Sequence, residues 1–122
     1  MDGAWLVSTD AGGAAPALDW SAAEAALAGV RDGSTEFVVI EREKDSDTLF
    51  FQASAWTMGV VLGRSFVAEA RFPDGDGFRQ MMLRTKRFDE VLESAMVFMS
   101  GSEDLVGRWM DVTDDYLGRQ AS

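Results

Sequence analysis

Neither cysteine nor histidine occurs among the 122 residues. The first absence excludes disulfides and thiolate metal sites. The second removes the commonest general base, the commonest transition-metal ligand and the usual pH switch. No phosphate-binding glycine motif is present. Ser8, Ser54, Ser65 and Ser100 have no histidine to activate them and no G-x-S-x-G elbow, so a serine triad is unsupported. No apolar run approaches the length of a membrane span. The start, Met1-Asp2-Gly3, lacks the basic flank of a signal peptide. Together with the missing cysteine this points to a cytoplasmic address and no membrane partner.

What is there is acid and apolar surface. The chain is 47% hydrophobic and 26% charged, the balance of a globular domain, and its length suits one domain over 1–122. Its formal charge is −10. Such a surface repels nucleic acid and anionic lipid and favours cationic partners. The charge is uneven: −5 over residues 1–36, −2 over 37–63, +3 over 64–87 and −6 over 88–122. A mildly basic middle lies between acidic ends.

The apolar periodicity predicts an α+β fold. Ala4 to Thr9 reads as a strand with Trp5, Val7 and Thr9 on one side, and Asp10 to Ala17 (DAGGAAPA) as a loop. A helix follows, capped by Asp19 or Ser21, with Ser21-x-x-Glu24 matching a capping box. Trp20, Ala23, Leu27 and Val30 share one face, and Gly29 or Gly33 ends it. Phe37–Arg42 is a strand, Lys44 to Asp47 a polar turn, and Leu49–Trp56 a strand apolar on both faces. Thr57 to Gly63 reads equally as a short strand or a bulged continuation. Ser65–Phe72 alternates cleanly, with Phe66, Ala68, Ala70 and Phe72 facing one way and Val67, Glu69 and Arg71 the other. Pro73-Asp74-Gly75-Asp76-Gly77 turns the chain into a partner strand, Phe78–Arg84. A helix from about Lys86 to Ser100 carries Phe88, Val91, Leu92, Ala95, Phe98 and Met99 at core spacing and stops at Gly101. The expectation is a single antiparallel sheet of four to six strands with two helices packed on one face.

Few residues suggest chemistry. Asp74-x-Asp76-Gly77 resembles the start of a calcium loop, but the fifth position is Phe78, the glycine position Arg79 and the twelfth Thr85. A plain hairpin turn explains it, and no metal or cofactor is expected. Glu69 and Arg71, on one strand face, read as an ion pair. Met96, Phe98 and Met99 read as core, while one of Met81 and Met82 falls on the face away from the helices, where it could meet a partner. In the tail, Glu103, Asp104, Asp111, Asp114 and Asp115 surround Trp109 and Tyr116. An aromatic anchor ringed by acids suits docking to a folded basic protein; the plainer alternative is a solvated tail with its tryptophan tucked into the core.

Phe37 to Val112 carries, in order, the motifs FFQAS, FVAEARF, FRQMMLR, FDEVLESAMVFMSG and GRWMDV. This succession, over about two-thirds of the chain, resembles small bacterial cytosolic immunity proteins of polymorphic toxins, the inhibitors of deaminase and nuclease toxins. The resemblance implies an α+β monomer or homodimer, without enzymatic activity, that neutralises a cognate toxin domain by occluding its active cleft. A secretion chaperone for an effector protein, equally small and acidic, is the alternative. A small enzyme using carboxylates is the third reading.

Overall fold

The computed structural model describes residues 5–10, 12–17, 20–42, 49–57 and 64–115. Strand β1 (Trp5–Thr9) turns into β2 (Gly12–Ala17), then come helix α1 (Trp20–Asp32), strands β3 (Phe37–Arg42), β4 (Phe50–Thr57), β5 (Arg64–Asp74) and β6 (Gly77–Thr85), helix α2 (Phe88–Met99) and a two-residue strand β7 (Met110–Asp111). All pair antiparallel in one open sheet of order β2-β1-β3-β4-β5-β6-β7. The α+β architecture is therefore the expected one: six strands of five residues or more, extended by the short seventh.

Register decides which side chains meet the helices. Val7 pairs with Ile40, Ile40 with Phe51, Phe51 with Ala70 and Ala70 with Met81. This row and its neighbours Val38, Ala53, Phe66, Ala68, Phe72 and Leu83 form the inner face. Alternation along each strand sends the intervening residues to the outer face. Helices α1 and α2 lie side by side on the inner face, contributing Ala23, Leu27 and Val30, and Phe88, Val91, Ala95 and Phe98. The alanines at 53, 68 and 70 let the helices approach, and each large side chain fully buried there contributes about 1.5–3 kcal/mol. Phe98 is the aromatic centre, its ring centroid 5.2 Å from Trp5, 5.7 Å from Phe51 and 5.8 Å from Phe72.

Local signals explain the elements that the sequence made visible. The β5–β6 hairpin closes through Asp74 opposite Gly77, with Gly75 at φ +59°, a conformation that glycine adopts freely. Helix α1 stops at Gly33 (φ +92°), whose N–H donates to the Gly29 carbonyl at 2.9 Å. Helix α2 ends at Gly101 (φ +91°).

Three local expectations are corrected. The glycine- and alanine-rich 12–17 segment is a strand, not a loop; it lies at the sheet edge, where Pro16, opposite Leu6, is tolerated. Helix α1 already begins at Trp20, so Ser21 sits inside its first turn and does not cap it. The buried stripe of α2 runs through Ser94, while Leu92 and Met99 are half-buried at its margin and Met96 is 47% exposed. Arg71 is buried on the outer face, where its Nε donates to Gln80 Oε1 at 2.8 Å and its guanidinium lies against the Phe50 and Phe78 rings. Asp19, the Lys44–Asp47 turn and residues 58–63 lie outside the described residues.

Candidate partner-binding edge

The acidic tail is held by one serine. Ser94 is fully buried in the stripe of α2. Its hydroxyl donates to the Val106 carbonyl at 2.8 Å and accepts from the Val106 N–H at 3.0 Å and from the Trp109 indole N–H at 3.2 Å. One donor and two lone pairs are all that a hydroxyl has, so Ser94 is saturated. The indole N–H is shared with the Val106 carbonyl at 2.9 Å, and the indole ring lies 6.0 Å from the Phe51 ring. Gly107 completes the bend at φ +103°; a Cβ there would stand 3.2 Å from the Glu90 carboxylate. Glu90 in turn accepts from the Thr85 hydroxyl at 2.5 Å.

Beyond this clamp the chain runs along β6. Met110 pairs with Met82 and Asp111 with Met81. The Val112 N–H then donates to the Gln80 carbonyl and the Gln80 N–H to the Thr113 hydroxyl, each at 2.8 Å. Asp111 Oδ1 accepts from the Thr113 hydroxyl at 2.6 Å and from the Thr113 N–H at 2.9 Å, which caps the helical turn at 113–115. These two bonds, the hydroxyl first, hold the Asp111 carboxyl below the ordinary aspartate range; slight desolvation opposes them and the Arg79 charge adds to them.

Of the residues that the sequence singled out, Glu103, Asp104, Asp111, Asp114 and Asp115 are all exposed. Asp111, Asp114 and Asp115 share one turn, while Glu103 and Asp104 occupy the loop after α2. Arg79 connects the two groups, since it pairs with Glu103 and its charge acts on Asp111. Trp109 is half-buried and engaged with Ser94, Val106 and Phe51, so it is a strut beneath the acids. Tyr116 lies outside the described residues. The apolar group that does stand out is Met110, 55% exposed. Strand alternation beside an inward Trp109 was the signal for it. Ser94 also escaped the sequence reading; its signal was a small polar residue at a core position between Val91 and Ala95.

Met96 marks a second acidic surface. With Trp20 and Leu92 it lines a groove of about 200 Å³ between the helices, bordered by Glu24, Asp89 and Glu93. Among the described residues no group of three or more acids is placed to hold a metal ion, and no helix is long and apolar enough to cross a membrane. No family model, curated protein or solved structure matches the chain.

Proposed function

We propose that this protein acts without catalysis, as an inhibitor that binds a folded basic protein through the acidic β6–β7 edge. In this reading the partner is a bacterial toxin domain that works on nucleic acid, and the setting is the bacterial cytoplasm. The observation that carries the reading is the clamped strip itself, with exposed acids flanking exposed Met110. A nucleic-acid enzyme must present a cationic cleft to phosphates, and an acidic edge has the sign to enter it. The Ser94–Trp109 clamp orders the strip before binding, so less entropy is lost on docking.

The interhelical groove favours a second reading, a secretion chaperone. A methionine and a tryptophan between acids suit an extended, cationic, unfolded segment. The two readings separate by surface and by the state of the partner.

The test is a pull-down from the native cell followed by association kinetics. Reversing Asp111, Asp114 and Asp115 to lysine is expected to slow association about tenfold or more at low salt and to flatten its salt dependence. Met110→Ala is expected to act mainly on dissociation. A triple reversal that leaves affinity and salt dependence unchanged would refute the edge, and loss of binding through Glu24→Lys and Glu93→Lys instead would establish the groove.

A further inference from the structure

Where α2 ends, the described residues leave part of the inner face open. Trp5, Leu49, Phe72 and Phe98 wall a cleft of about 290 Å³ there, with Arg42 and Glu103 among its polar lining. We propose that this cleft is a binding site for a small organic carboxylate, with one aromatic ring or a short aliphatic chain as its body. The proposal goes beyond the docking edge and does not depend on it.

The cation is the first argument. The Arg42 guanidinium lies 4.7 Å from the centroid of the Trp5 ring. Its Nε–H is shielded from water and has no hydrogen-bond acceptor. Among the described residues no carboxylate pairs with it: the one acid of the cleft, Glu103, is engaged by Arg79. Among the described residues, then, this pocket keeps a positive charge without an ion-pair partner. Shielded polar groups without partners are uncommon, and a charged donor is the costliest kind to leave so. A carboxylate pairs with the outer nitrogens of a guanidinium, because its two oxygens match the planar fork, and this neutralises the charge that the Nε shares.

The walls are the second argument. Trp5 and Leu49, both half-buried, present apolar surface beside the cation and are backed by the buried rings of Phe72 and Phe98. Such a surface takes an apolar body and fixes its orientation against one charged group, the usual plan of a ligand pocket. The volume is at the small end for such pockets, which selects a single ring. A phosphate would draw on several donors, and among the described residues one guanidinium without an ion-pair partner lines this space.

The experiment titrates the whole chain with phenylacetate, hexanoate, phenylacetamide and benzylamine, followed by amide chemical shifts. Saturable shifts at Trp5, Arg42, Phe72 and Phe98 are expected with both carboxylates. The neutral amide should bind about tenfold more weakly, and the amine should not bind. Arg42→Gln should abolish the preference for acid over amide, and Arg42→Lys should keep part of it. Leu49→Trp, which fills the cleft and leaves Arg42 in place, should exclude phenylacetate, and it serves as the test if the Arg42 variants do not fold. Equal binding of acid and amide, binding undiminished by Leu49→Trp, or no saturable binding of either carboxylate up to about 10 mM overturns the proposal.

Discussion

Along β5 the side chains at 66, 68, 70 and 72 are buried beneath the helices, yet Arg71, between two of them, is buried as well on the opposite face. The inner face excludes water with alkyl and aromatic groups, among them the buried alanines at 53, 68 and 70. The outer face has no described helix above it. There the Arg71 guanidinium lies 3.9 Å from the Phe78 centroid and 4.9 Å from that of Phe50, and Gln80, only 1% exposed, accepts its hydrogen bond. The comparison teaches that burial on this sheet has two origins. One is displacement of water by apolar volume, which is insensitive to direction. The other is a directed polar contact flanked by rings, which depends on a few atoms.

A substitution on each face tests this most strongly. Ala68→Asp places an unpaired charge at a fully buried inner position and is expected to cost several kcal/mol, comparable to the stability of the whole domain. Chemical denaturation should show no cooperative transition. Arg71→Met keeps an unbranched chain of similar reach on the outer face but gives up the hydrogen bond to Gln80 and the stacking; a loss of about 1–2 kcal/mol is expected. If both variants unfold alike, the two faces are equally intolerant and the distinction fails.

An effect smaller than that of Ala68→Asp is expected where the tail passes from the helix layer to the sheet edge. Ser94→Val preserves shape but leaves the Val106 N–H short of an acceptor, at a cost of about 1–3 kcal/mol. Amide exchange should quicken over 105–111 while the β5–β6 hairpin keeps its protection. Uniform exchange across the sheet would show that the clamp belongs to the global core.

The smallest effect is electrostatic. The Asp111 carboxyl is held below its ordinary range by Thr113, so its contribution is present above the unfolded aspartate pKa and is lost as pH falls through the lower, folded value. The Asp111 carboxyl should titrate below the ordinary aspartate range, and Thr113→Val should raise it toward that range. An unshifted Asp111 would remove the cap from the description.

These elements also show what could be read in advance. The β5–β6 hairpin and the stripe of α2 were legible because strand period, turn chemistry and helix period are properties of neighbouring residues. The strand at 12–17 was not, because glycine, alanine and proline carry no strand preference and the segment is ordered by pairing with β1. The acids of the tail were legible as charge. The role of Trp109 was decided by Ser94, fifteen positions away, through contacts that no local pattern encodes. Arg42 reads as an ordinary strand-end charge until Trp5 and Phe98 are brought beside it.

The two ends of the sheet share a property with a consequence for how molecules of this protein meet one another. At one end β2 contains Pro16, which has no N–H to give, and at the other β7 is only two residues long. An incoming strand needs an unbroken row of backbone donors and acceptors; Pro16 interrupts that row on β2, and β7 occupies it at Met81 and Met82 of β6. Growth of the sheet from molecule to molecule, the route by which open sheets polymerise into fibrils, thereby meets an interruption at each of its starting points.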